Sequence, residues 1–368
     1  MMDPIETLET LMHAGIKAAN PFPATVINLP ERPVGSLFIL AVGKAAVPMA
    51  KAAAEGYGGD FDGILLAPEG YVENVRGFAC LSGSHPLPST ANVNATKKIA
   101  EKVLGLEEED MFLALISGGT SALLCLPAKG ISLQRKIKLT KDLLASGKSI
   151  AQVNLARRKL SAIKGGKLKK LAFPADVVSL LLSDVAGDDT CVIGSAPTAG
   201  GKVIMNADDM LVEVQEQARQ MGISVSNFGA AVNGKARLVA RGHADIAKSY
   251  YGKCPHLFLS GGETSVTVTG KGTGGRNSEY ALALALALKG AKGIYGLSID
   301  SDGIDGTGPH AGAWVKPDTL EAADLAGLDP AAALERNDSG EFFKALDDLI
   351  TTGPTLTNLN DLRMILMV

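Results

Sequence analysis

Short apolar runs alternate with helix-like stretches along all 368 residues. Leu37–Val42 (LFILAV), Met111–Ile116 (MFLALI) and Ala175–Leu182 (ADVVSLLL) are continuous apolar runs of strand length, as expected for strands buried on both faces. Gly63–Pro68, Phe78–Pro88, Lys202–Met205, Ile223–Asn227 and Gly293–Ile299 supply further strands, and the tail TTGPTLTNLNDLRMILMV ends in another. Helical spacing marks the opening residues, the stretch from Gly43 to about Glu55, and Asp208–Gln220. It also marks Asn154–Lys170, where Gly165-Gly166 breaks it. This alternation predicts an α/β protein with mostly parallel sheets in both halves.

The stretch Leu257–Lys289 organises the second half. The run LFL ends at Ser260 in a Gly-Gly-Glu-Thr turn, and Ser265–Thr269 alternates like a half-buried strand. GKGTGG follows, then Arg276-Asn277-Ser278-Glu279 and an apolar helical run, Tyr280–Leu288. Glycines between a strand and a helix let backbone N–H groups converge on an anion, and Arg276 adds a planar charge. Phosphate or carboxylate is the expected ligand. Gly270, Gly272 and Gly275 also satisfy G-x-G-x-x-G, with Asp300 closing a later apolar run, so an NAD-linked oxidoreductase is a rival.

Other strand ends carry similar chemistry. Gly43-Lys44 follows the first run, and Ser117-Gly118-Gly119-Thr120-Ser121 follows Met111–Ile116 as a second anion nest. Ser183–Asp189 follows Ala175–Leu182 with Asp184, Asp188 and Asp189, and Asp300-Ser301-Asp302-Gly303-Ile304-Asp305 follows Gly293–Ile299. Acids at strand ends suit Mg²⁺ bound together with a phosphate. His85 lies in a rigid turn and serves structure as readily as function. Anion nests, cations and acids together are the parts of Mg²⁺-assisted phosphoryl transfer.

Length predicts two domains, divided as 1–221 and 222–368. A net charge of −3 gives no pull toward nucleic acid, and the basic residues between Arg157 and Lys170 lack interleaved aromatics. The four cysteines are scattered, as expected of buried thiols in a reducing compartment rather than a zinc site. No apolar run approaches the roughly 20 residues of a membrane span. A soluble, cytoplasmic protein is expected. Two motifs are decoys: Ser121 lacks the G-x-S-x-G context of a hydrolase, and Ser146-Gly147-Lys148-Ser149 lacks the first glycine and the strand of a P-loop.

The segments AVGKA, ISGGTSALL, VNLARRKLSAIKGGKL, LLLSDVAGDD, SAPT, LSGGETSVTV, GTGGRNSEYALALA, DSDGIDGTGPHAGA and TTGPTLTNLNDLRMIL together resemble the glycerate 2-kinases of the GckA/TtuD family, whose C-terminal part is the MOFRL domain. The resemblance implies ATP- and Mg²⁺-dependent phosphorylation of D-glycerate to 2-phosphoglycerate. It implies a Rossmann-like first domain with a parallel sheet, a second domain with a mixed sheet and flanking helices, and an active-site cleft between them. A monomer or homodimer is expected. The alternatives are an NAD(P)H-linked reductase of hydroxypyruvate or tartronate semialdehyde, and a kinase for another small hydroxy acid.

Carried over by motif, Lys44, Asp184 and Arg276 are the expected catalytic residues, Asp184 as the base. Ser117, Gly118, Gly119, Ser121, Arg157, Gly261, Gly262, Glu263, Gly274, Gly275 and Asn277 would bind substrate or phosphate. Asp188, Asp300, Asp302 and Asp305 would bind the metal. The chain departs from the family at Ala196 (usually glycine), Ser278 (commonly glutamine) and Lys159 (often histidine). It is also very short between Thr198 and Asn206, where relatives carry a longer segment with a helix.

Overall fold

The computed structural model describes residues 3–145 and 150–368, so Ser146–Ser149 lie outside the described residues. The chain forms two compact units, and their division differs from the expected one. One unit holds residues 20–206 and 356–358. The other holds the opening residues to Ala19, Ala207–Thr355 and Leu359–Val368.

The first unit is built on a six-stranded, all-parallel sheet of β1 (Leu37–Val42), β2 (Asp62–Pro68), β3 (Phe78–Gly83), β4 (Met111–Ile116), β5 (Asp176–Leu182) and β6 (Lys202–Met205). Its order is β3-β2-β1-β4-β5-β6, the doubly wound order, and the direction of winding reverses between β1 and β4. Every residue of those two strands is buried, which is why both appear in the sequence as unbroken apolar runs. The connection from β5 to β6 runs over residues 183–201 with one 3₁₀ turn, Ile193–Ser195, and no α-helix among the described residues. It docks on the Gly165-Gly166 turn instead: Gly165 N–H donates to Ser195 O (3.1 Å) and Gly166 N–H to Ala196 O (2.8 Å). The short segment still delivers β6 parallel to β5.

The second unit has strands β7 (Ser224–Asn227), β8 (Gly234–Lys235), β9 (His256–Ser260), β10 (Thr264–Ser265), β11 (Ile294–Asp300), β12 (Gly312–Val315), β13 (Leu349–Ile350) and β14 (Asp361–Met367). Its main sheet runs β13-β12-β11-β14-β9-β7, with only the β7–β9 pair parallel. The sheet is mixed. The mostly parallel arrangement read from strand–helix alternation fails here, because β14 comes from the tail and inserts between β11 and β9, antiparallel to both. The apolar helix Arg276–Leu288 packs on this sheet, with the Ala236–Lys248 helix against it.

The opening helix, Pro4–Ala18, is capped by Asp3, whose carboxylate accepts from Ile5 N–H (2.8 Å) and Glu6 N–H (3.2 Å). Its buried stripe of Leu8, Leu11, Met12 and Gly15 faces the Ala207–Gln220 helix and β14. A Cβ on Gly15 would lie 2.8 Å from Val214 and 3.1 Å from Leu362, so glycine permits the close approach. This packing places both helices in the second unit, whereas the expected 1–221 division assigned them to the first.

The stretch Ser265–Thr269 is not the strand its alternation predicts; only Thr264–Ser265 pairs, with β8. One side chain takes over the backbone beyond it. Asn337 Oδ1 accepts from Thr269 N–H (2.8 Å) and Gly270 N–H (2.9 Å), and its Nδ2 donates to Thr267 O (3.2 Å).

Candidate active site

Within the first unit, the chain turns after β1 and β4 meet at the reversal of strand order, where doubly wound folds bind ligands. Lys44 N–H donates to Gly118 O (2.9 Å), and Ala45 N–H donates to the Ser117 hydroxyl (3.1 Å), locking the turns together. Gly43 has φ +123°, and a Cβ there would lie 2.1 Å from the Ser117 hydroxyl, so no other residue fits. Ser117 and Thr120 direct their hydroxyls back to Val42 O, which spends them on the fold. The N–H groups of Gly118 and Gly119 donate to no protein acceptor among the described residues. They are the free donors of this nest.

Other groups close around those glycines. A Cβ on Gly118 would lie 2.4 Å from an Asp184 carboxylate oxygen and 2.0 Å from Asn358 Nδ2. Asn358 Nδ2 donates to that same oxygen (3.2 Å), which orients the Asp184 carboxylate. Positions 3.4–3.5 Å from a Gly119 Cβ are held by the His85 ring and the Lys44 stem. The Ser121 hydroxyl is 2.7 Å from that of Ser195. Asp188 accepts from Asn206 Nδ2 (2.7 Å). The structure therefore gathers Lys44, Gly118, Gly119 and Asp184, and adds His85 and Asn358. Asn358 escaped the sequence reading because its role depends on a turn far from it along the chain. A cation, free N–H donors and an oriented carboxylate can hold a phosphate and accept a hydroxyl proton.

The second unit is organised differently around Arg276. Its Nε donates to Asp361 (2.6 Å), its NH1 to Glu263 (3.1 Å) and its NH2 to Asp300 (2.8 Å). Burial works against the guanidinium's charge, but the carboxylates of Asp361, Asp300 and Glu263 outweigh it and hold its pKa above the ordinary value. Fully buried Asp361 also takes Asn277 Nδ2 (2.9 Å) and a short bond from Arg363. Burial would raise the Asp361 pKa, yet Arg363 and Arg276 keep it below the ordinary range. Arg363 in turn donates to Gly261 O (2.8 Å) and Gly262 O (3.4 Å), which commits that turn to the network.

The expected anion at the start of the Arg276 helix is supplied by the protein. Asp305 accepts from Asn277 N–H (2.9 Å), Ser278 N–H (2.8 Å) and the Ser278 hydroxyl (2.7 Å). Burial raises its pKa, and these donors pull against that rise. Asp305 thus caps the helix, its carboxylate oxygens accepting from the donors of the first turn. The glycine loop is tightly packed: a Cβ on Gly270, Gly272 or Gly275 would lie 2.0–2.4 Å from Arg336, Asp338 or Asp305. The dinucleotide fingerprint fails on both counts, since no strand leads into the loop and a carboxylate holds the pyrophosphate's place.

A cavity of about 330 Å³ remains beside this loop, lined by Val266, Val268, Gly274, Arg276, Glu279 and Thr307 among others. Asp300 and Asp302 sit in a turn whose own N–H groups they accept, Asp302 N–H (3.1 Å) and Ile304 N–H (2.8 Å). No three His, Cys, Asp or Glu gather as a metal cluster among the described residues.

Two family descriptions match the chain: a domain of unknown function, DUF4147, over residues 7–226, and the MOFRL family over residues 256–361. A D-glycerate 2-kinase of Thermotoga maritima is 34% identical over the full length of both chains. The crystal structure of a glycerate kinase from Thermotoga maritima superposes with a TM-score of 0.87 at 33% identity, covering 99% of each chain. The chain belongs to the glycerate kinase family. Its reaction class is phosphoryl transfer to a hydroxyl group, which calls for a small-molecule acceptor and a nucleotide. An Agrobacterium vitis relative, 38% identical over 98% of this chain and 94% of its own, carries the provisional name hydroxypyruvate reductase. No helix among the described residues is long and apolar enough to cross a membrane.

Proposed function

We propose that the chain transfers the terminal phosphoryl group of ATP to the 2-hydroxyl of D-glycerate, with Mg²⁺. The observation that carries this reading is the β1/β4 reversal, where unspent glycine N–H groups lie between Lys44 and an Asn358-oriented Asp184. The relatives' names supply the substrate. Asp184 accepts the proton of the attacking hydroxyl, and Lys44 with the Gly118 and Gly119 N–H groups holds phosphoryl oxygens as charge builds on them.

The donor set fits Mg²⁺, which needs only one or two carboxylates beside phosphate oxygens and keeps several waters. Asp188, on the same turn after β5 as Asp184, would hold it, and the ion would neutralise charge on the phosphates. Arg276 has five N–H donors and spends three on carboxylates, so two remain for a ligand in the adjoining cavity.

The test is a product assay on purified protein with D-glycerate, ATP and Mg²⁺, read by phosphorus NMR, beside an NADH-oxidation assay on hydroxypyruvate. A 2-phosphoglycerate signal is the expected result. ADP without that signal would point to a different acceptor hydroxyl or acid, and NADH oxidation without ADP would overturn phosphoryl transfer.

A further inference from the structure

Beside the β4 turn, the first unit buries several cations with no acid to meet them. Lys136 is 4% exposed and Lys164 1%, and Arg157 is half-buried. Two segments bring them together: Ala128 N–H donates to Leu160 O (3.1 Å) and Ala162 N–H to Leu126 O (2.9 Å), around a Pro127–Ser161 bridge. That pairing lays Cys125 and the start of the Leu133–Ala145 helix against Arg157 and Lys164. Lys164 Nζ donates to the backbone oxygen of Ser121, inside the same turn that carries Gly118 and Gly119.

None of the three forms an ion pair among the described residues. The Lys136 ammonium faces the Cys125 thiol, and no oxygen among the described residues accepts from its Nζ. An ionised lysine without a partner costs several kcal/mol to bury, and like charges beside it add to that cost. Burial pushes both lysines below their ordinary range, with Arg157 among the neighbours that add to it, and burial lowers Arg157 as well. Proteins tolerate such clusters where an anion completes them.

We infer that Lys136, Lys164 and Arg157 form a buried subsite for a compact oxyanion, a carboxylate or a phosphoryl group, behind the β4 turn. Arg157 offers a planar fork, and the two ammoniums offer point charges from other directions. Because Lys164 is tied to Ser121, an anion held here is anchored next to the turn that carries the nest. The identity of the physiological anion rests on the proposed glycerate phosphorylation; the existence of the subsite does not.

The experiment is thermal unfolding of the full chain with inorganic phosphate, D-glycerate or ADP, for the wild type, Lys136→Met and Lys164→Met. Phosphate and at least one of the other two should raise the wild-type Tm. Each variant should weaken the affinity for phosphate roughly tenfold or more, the loss of one charged hydrogen bond. Without anion, Lys136→Met should unfold no earlier than the wild type, since it removes an unpaired buried charge.

Loss of the D-glycerate response alone assigns the subsite to a carboxylate, and loss of the ADP response alone assigns it to a nucleotide phosphate; both support it. Phosphate, glycerate and ADP responses unchanged in both variants would overturn it, as would a wild type that phosphate leaves unmoved. A wild type that makes no 2-phosphoglycerate but needs Lys136 for phosphate protection would sink the proposed reaction and leave the subsite standing.

Discussion

Two turns in this molecule share a glycine-rich bend, hydroxyl residues and a helix start, and the first of them follows directly on a strand. After β4, the Gly118 and Gly119 N–H groups remain unspent and Lys44 stands beside them. At the Arg276 helix, the same kind of turn is closed by Asp305 and by an Arg276–Asp361–Arg363 network. The difference lies in acids that the rest of the chain brings within reach. A glycine turn offers donors; whether a ligand or the protein takes them is decided elsewhere in the fold. Buried networks of the second kind rigidify and specify a structure when fully satisfied.

The sharpest way to break the comparison is to disable each turn and ask what is lost. Lys44→Met or Asp184→Asn should lower kcat/KM for D-glycerate by roughly a hundredfold to a thousandfold, the usual loss on removing one preorganised charge or donor, with little change in unfolding midpoint. An unchanged kcat/KM would move the chemistry away from the β4 turn.

Asp361→Asn should do the reverse. It strips a carboxylate from two guanidiniums, one of them fully buried, and should cost about 3–5 kcal/mol in chemical denaturation. Full stability in this variant would show that the closed turn is not held by its ion pairs. Asn337→Ala should cost about 1–3 kcal/mol, because the N–H groups of Thr269 and Gly270 would lose their acceptor. Hydrogen exchange should then quicken first at those two amides.

The smallest effect concerns pH. Burial, helped by Arg363, pushes the His243 pKa down from 6.5 to about 4, and its Nδ1 lies 2.8 Å from the Tyr280 hydroxyl. Between those values the unfolded chain binds a proton that the folded one refuses. Stability should therefore fall as pH drops from 6.5 towards 4, and His243→Gln should flatten that part of the curve. An unchanged slope in the variant would place the titrating group elsewhere.

Legibility in the sequence followed the number of residues that carry each signal. β1 and β4 appear with their observed ends because six consecutive buried positions write each one. The Gly43-Lys44 and Ser117–Gly119 turns were visible for the same reason, as the ends of unmistakable strands. Ser265–Thr269 misled, since its alternation matches a strand while its backbone belongs to a single asparagine 68 residues from Thr269. The capping role of Asp305, the orienting role of Asn358 and the lone ammonium of Lys136 each rest on one polar side chain meeting a distant partner. Periodicity carries no trace of such meetings, and Lys136 hides in a helix whose other charges face solvent.

The placement of residues 356–368 sets an order of events in time. During synthesis, the six parallel strands can assemble once residue 206 is made, but Asn358 reaches the Asp184 carboxylate only much later. The other unit must wait as well, for β14 fills the middle of its sheet and Leu362 backs the opening helix. That helix can meet the Ala207–Gln220 helix once residue 220 is made, but β14 joins the pair only later. A chain stalled before residue 356 would thus hold an assembled parallel sheet whose Asp184 carboxylate lacks Asn358, and a second unit whose sheet lacks β14. Residues 356–368 thus complete both units, Asn358 in one and β14 in the other.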